Sequence, residues 1–117
     1  MESNFEKLNV YKKAIDLSDE AYSLTKSFPK EEIFGLTSQM RRATVSIALN
    51  LAEGSVRTKK EFCRYIDISR GSGFESIAIL EISLRQKYIT DEQYKDFRGK
   101  ITGILKMLSG LKKSLKA

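Results

Sequence analysis

Residues 90–117 read TDEQYKDFRGKITGILKMLSGLKKSLKA. Phe97, Ile101, Ile104, Leu108, Leu111 and Leu115 recur there in strict four-three spacing, which sets all six along one stripe of an α-helix. A strand would need alternation by two, and the segment has none. Thr90 is a suitable N-cap, and Asp91 and Glu92 place negative charge in the first turn, where the helix dipole favours it. An apolar seam this long requires other helices to cover it. Gly99, Gly103 and Gly110 each weaken the helix by up to about 1 kcal/mol against alanine. A closely packed neighbouring helix or a frayed end would offset that cost.

Three earlier segments supply the covering helices. The first spans about Asn4 to Ser27, where Leu8, Tyr11, Ile15, Ser18, Tyr22 and Thr25 recur by threes and fours and Ala14, Leu17, Ala21 and Leu24 widen the stripe. Pro29 closes it, because the residue before a proline is pushed out of the helical region. The second spans about Glu32 to Glu53 with Leu36, Met40, Ala43, Ile47 and Leu51 inward, and Gly54 is expected as its left-handed cap. Thr58 and Glu61 form a capping-box pattern for the third, which runs to about Lys87 with Phe62, Ile66, Ser69, Gly73, Ser76, Leu80 and Leu84 inward. Four helices with short connections predict an all-α, antiparallel up-down-up-down four-helix bundle, with residues 1–117 as a single domain.

Composition narrows the function. There is no His and one cysteine, Cys63, so an internal disulfide, a Cys/His zinc site and a papain-like nucleophile pair are all ruled out. Gly71-Ser72-Gly73 lies within a helical pattern and lacks the strand that precedes a phosphate-cradling loop. The expectation is a protein with no catalytic residues, no metal and no cofactor. The N-terminus has no apolar signal-peptide run and no segment has the length of a membrane span, so the expected place is the cytoplasm, away from membranes.

The net charge of +6 is uneven. Residues 1–58 carry eight Lys/Arg and eight Asp/Glu, whereas residues 59–117 carry thirteen and seven, with no acid after Asp96. Such a basic end reads either as a footprint for a polyanion or as cations complementing a helix dipole. For a phosphate backbone the candidate contacts are Arg57, Lys59, Lys60 and Arg64 at the start of the third helix, and Lys106, Lys112, Lys113 and Lys116 at the end of the fourth. Tyr65 beside them is a candidate for stacking on a base, although a tyrosine at helical spacing more often belongs to the core.

The second helix carries an additional, polar stripe: Gln39, Arg42, Ser46, Asn50 and Glu53 share one face. Ser72 and Glu75 on the third helix belong to a matching small, polar set, and Glu75 is positioned to pair with Arg41 or Arg42. The stripe reads as a hydrogen-bonded network that fixes packing, or as a polar site at a junction between subunits. If both faces of this helix are covered, it contacts more than its own bundle.

The run Phe28-Pro29, Glu32-x-Phe34-Gly35-Leu36, Gln39-Met40-Arg41-Arg42-Ala43 and Ser46-Ile47-Ala48-x-Asn50-Leu51-Ala52-Glu53-Gly54 resembles the proteins encoded in intervening sequences of bacterial 23S rRNA genes. It is similar also to the accessory variability determinant proteins of diversity-generating retroelements. Glu61-Phe62 and Gly71-Ser72-x-x-Glu75 fit the later part of the pattern, and Gly73 departs from it, since a larger residue is usual there. The resemblance implies a ring-like homopentamer with a basic surface, no established enzymatic activity, and Arg41 and Arg42 as the paired basic residues. Two functions follow as expectations: a homo-oligomer that binds RNA or DNA, or a scaffold for a protein partner such as a reverse transcriptase.

Overall fold

The computed structural model describes residues 8–116. Within them the chain forms α1 (Asn9–Thr25), a single 3-10 turn (Lys30–Glu32), α2 (Leu36–Ser55), α3 (Lys59–Arg85) and α4 (Asp91–Lys116). The expected start of the first helix at Asn4 lies outside the described residues. α3, with 27 residues, spans about 40 Å at 1.5 Å per residue, close to the 43 Å long dimension of the molecule. α1 packs on α2, α2 on α3 and α3 on α4; α1 and α4 close the square along a less extensive seam. The arrangement is an all-α four-helix bundle.

The six-residue seam of α4 lies where its spacing predicts, with Phe97, Ile101, Ile104 and Leu108 buried and Leu111 and Leu115 packed half-buried against the core. Met40, Ala43, Ile47 and Leu51 meet it from α2, and Phe62, Ile66, Ser69, Gly73, Ser76 and Leu80 from α3. α1 is rotated relative to the expected stripe. Val10, Ala14, Leu17, Ala21 and Thr25 are buried, while Ile15 and Tyr22 face outward. Two adjacent series satisfy the helical period there, and the one with two alanines lets α1 lie close to its neighbours.

The helix ends have identifiable chemistry. Glu32, in the 3-10 turn, accepts the Leu36 backbone N–H through Oε1 (3.1 Å) and the Tyr88 hydroxyl through Oε2 (2.9 Å). It therefore caps α2 from outside the helix and ties it to the α3–α4 connection. The bond to Glu32 is the main cause that raises the Tyr88 hydroxyl above its ordinary pKa. Thr58 Oγ1 accepts the Glu61 N–H (3.2 Å) as expected. Thr90 and Gln93 form a reciprocal box: Thr90 Oγ1 accepts the Gln93 N–H (3.1 Å) and Gln93 Oε1 accepts the Thr90 N–H (2.9 Å).

Two expectations about glycine are corrected. Gly54 is not a left-handed cap; it is buried inside the last turn of α2, and no glycine has positive φ among the described residues. A Cβ at Gly54 would stand 2.5 Å from Tyr65 Cβ, so glycine is required there by α3, not by backbone conformation. The left-handed position falls instead on Lys87 (φ 63°). The Lys87 N–H reaches the Leu84 carbonyl and the Tyr88 N–H the Ser83 carbonyl, both at 2.9 Å, which together make a Schellman end to α3. Gly99, Gly103 and Gly110 have open space where a Cβ would project, so no helix among the described residues packs closely on them.

Candidate nucleic-acid interface

Antiparallel order brings the start of α1, the α2–α3 turn and the end of α4 to one end of the bundle. There, residues 9–16, 50–68 and 108–116 carry nine Lys/Arg against four Asp/Glu. Residues 19–40 and 80–100, which form the opposite end, carry seven against eight. The excess charge of the described residues is thus concentrated at one pole, with Lys106 just above it.

Within this pole the candidates divide by what they touch. Lys59, Lys60 and Arg64 on the first turns of α3 are exposed, as are Lys106, Lys113 and Lys116 on α4; none of the six forms an ion pair with the described residues. Arg57 and Lys112 are engaged within the chain. The Arg57 guanidinium pairs with Glu53, reaches toward Glu61 (3.9 Å) and lies over the Tyr65 ring (5.2 Å to its centre). The bond to Glu53 is the first cause that raises its pKa. Tyr65 therefore presents one ring face to an arginine, and a base could not stack on that face while the contact holds. Lys112 Nζ donates to both oxygens of Asp67 (2.9 and 2.8 Å), tying α4 to α3. That bond is the main cause that holds the Asp67 carboxyl below its usual range.

Charge counting along the chain missed Lys12 and Lys13. Both are exposed on α1 at the basic pole, and Lys13 lines a cleft of about 320 Å³ with Gly103 and Met107 of α4. The first half of the chain is neutral overall, so these lysines emerge only once the antiparallel fold is known.

Arg41 and Arg42 lie elsewhere, about 22 Å along α2 from Arg57 at 1.5 Å per residue. Arg41 is turned inward to α1: its Nε donates to Thr25 Oγ1 (2.9 Å), and its guanidinium lies over the Tyr22 ring (4.6 Å). Buried Thr25 in turn donates to the Ala21 carbonyl (2.8 Å). Arg41 is a clamp between α1 and α2. Arg42 faces outward and lines a polar recess of about 420 Å³ with Gln39, Ala43, Ser46, Ser72 and Glu75. The expected pairing of Glu75 with either arginine is absent; no ion pair of Glu75 occurs among the described residues.

Half of the expected polar network forms. Asn50 Nδ2 donates to Ser46 Oγ (3.0 Å) and to the Ser46 carbonyl (2.8 Å), and Ser72 Oγ donates to Ser46 Oγ (3.0 Å). The Ser72 bond joins α3 to α2, and the two from Asn50 lie within α2 and hold Ser46 in place. Gln39 and Glu75 only border the recess, and Glu53 is drawn away to Arg57. No helix among the described residues is long and apolar enough to cross a membrane.

No curated protein matches this chain. It is similar to a protein of unknown function from the S23 ribosomal protein family of Bacteroides thetaiotaomicron, with 27% identity, a TM-score of 0.82, and coverage of 89% of this chain and 95% of that one. The family model for the 23S rRNA-intervening sequence protein matches residues 6–110, nearly the whole bundle. The chain belongs to the 23S rRNA-intervening sequence protein family.

Proposed function

We propose that this protein is a non-enzymatic homo-oligomer that binds nucleic acid, RNA foremost, through its basic pole. The observation that carries the reading is the concentration of unpaired cations there: Lys59, Lys60 and Arg64 on α3 beside Lys113 and Lys116 on α4. Lys60 and Arg64 are one helical turn apart, so one phosphate backbone can meet both. Binding of this kind gains from counterion release and reads little sequence, because the contacts are to phosphates. Association of several copies multiplies weak single contacts through avidity. The family resemblance implies a ring of five, and the family's link to 23S rRNA-intervening sequences makes structured RNA the first ligand to test.

The test is a titration of structured RNA and of duplex DNA at several salt concentrations. Affinity that falls steeply with salt supports the reading, and RNA should bind at least as well as DNA. An absence of binding at low salt would overturn it.

A second reading has its own support. Phe34 is 95% exposed beside exposed Ile33 in the connection to α2, at the pole opposite the cations. Solvent-facing apolar residues of this size suit a protein contact, in keeping with a scaffold for a nucleic-acid enzyme such as a reverse transcriptase. A packed protein contact would lose little affinity with salt, so the same salt series run against a protein partner separates the two readings.

A further inference from the structure

α2 and α3 each bury one stripe in the bundle and turn a second one to solvent. On α2 the outward stripe holds Arg42 and Leu49 and continues at the same seven-residue spacing to Val56, just past the helix end; on α3 it repeats as Ile68, Glu75 and Ile82. A seven-residue repeat keeps one face of a helix turned to a packing partner. The apolar members are well exposed: Leu49 63%, Val56 76%, Ile68 43% and Ile82 48%. The two stripes border the same recess, where Arg42 and Glu75 both stand. Each stripe is apolar with one charge, and the charges are opposite. Neither Arg42 nor Glu75 has a hydrogen bond or ion pair among the described residues. Lys100, Arg98, Arg57, Arg70 and Lys112, by contrast, all find an acid within the chain.

We propose that these stripes form a contact between copies of this chain, the α2 stripe of one copy lying against the α3 stripe of another and Arg42 pairing with the partner's Glu75. A second copy fits because one stripe supplies what the other lacks, both in apolar length and in sign of charge. Gly71 and Ala78, exposed on α3 near this face, let a foreign helix approach. The contact specifies the homo-oligomeric part of the function proposed above and rests on that part. Val56 and Ile68 carry the contact to the edge of the basic pole, while Lys59, Lys60, Lys113 and Lys116 belong to neither stripe.

The test is the mass of the full chain by light scattering across micromolar concentrations, with helicity followed by circular dichroism. Arg42→Glu and Glu75→Arg are each expected to weaken association by more than about tenfold with helicity unchanged. The double reversal in one chain is expected to restore the wild-type mass, because the two signs again meet across copies. Ile68→Asp and Ile82→Asp, at positions turned away from the core, are expected to give monomers with unchanged helicity. A wild-type chain that is monomeric throughout, or single reversals that keep the wild-type mass, would overturn the proposal. RNA binding of the same samples separates the two readings: a monomer that still binds RNA in a steeply salt-dependent way refutes the contact alone, and an intact oligomer with no affinity for RNA refutes the basic pole alone.

Discussion

The hydroxyl of Ser69 on α3 donates to the backbone carbonyl of Ile47 on α2 at 3.0 Å, and Ser69 is fully buried. A side chain this short reaches a neighbouring backbone only where two helices lie close together. Ser69→Ala leaves the Ile47 carbonyl free for its own helical bond, so the expected cost is about 1 kcal/mol. Ser69→Leu has no room and is expected to cost about 1–3 kcal/mol or more. Urea unfolding at constant m-value measures both; a leucine variant as stable as wild type would contradict the close approach.

The glycines make opposite predictions according to their surroundings. At Gly54 an alanine Cβ would lie 2.5 Å from Tyr65 Cβ and 3.0 Å from Phe62 Cδ1, so Gly54→Ala is expected to destabilise by about 1–3 kcal/mol. At Gly103 and Gly110 the space is open, and alanine is expected to stabilise by up to about 1 kcal/mol each. Thermal unfolding of the three variants checks the contrast in sign.

At the end of α3, Lys87 holds a left-handed conformation that costs a residue with a Cβ about 1 kcal/mol. Its side chain is exposed. Lys87→Gly is therefore expected to raise stability by about 0.5–1 kcal/mol, the reverse of the usual effect of glycine near a helix. Chemical denaturation of this variant beside Arg85→Gly, inside the helix, should show shifts of opposite sign.

The fold was legible because the core-facing spacings of α2, α3 and α4 are regular: Met40 to Leu51, Phe62 to Leu80 and Phe97 to Leu108 all lie where the helical period sets them. α1 was less legible, since its small residues Ala14 and Ala21 read as weaker core markers than Ile15 and Tyr22, yet close packing buries them. The role of Gly54 depends on Tyr65 across the helix pair, and no local pattern reveals that. Arg41 and Arg42 looked equivalent as a basic pair. One helical step turns the first onto Thr25 and Tyr22 and leaves the second in the open. Lys12 and Lys13 joined the candidate site only through tertiary order, while Arg57 and Lys112 were already engaged by acids that sequence spacing does not select uniquely.

Asp67 gives a prediction in pH. Its carboxyl is held below the unfolded value, first by the hydrogen bond from Lys112 and then against the cost of burial. A depressed folded pKa stabilises the protein above the unfolded value of about 3.9, and that contribution is lost as pH falls through the folded pKa. Asp67→Asn is expected to lower stability at neutral pH and to flatten its decline below about pH 4. Denaturation midpoints from pH 7 downward measure this; parallel curves for the variant and wild type would show that the Asp67–Lys112 contact adds nothing.

Above all, the pole formed by the α2–α3 turn and the end of α4 is proposed to bind the phosphates of RNA. The most direct test is the slope of log affinity against log salt for a structured RNA, measured on three proteins. These are the wild type, a basic-pole variant with Lys59, Lys60, Arg64, Lys113 and Lys116 changed to Gln, and a control with Lys26, Lys30 and Lys95 changed to Gln at the opposite end. The slope should become shallower by about 0.7–0.9 for each phosphate that the basic-pole variant no longer neutralises, with the control close to wild type. Equal losses in both variants, or a basic-pole variant with the wild-type slope, would contradict the proposal.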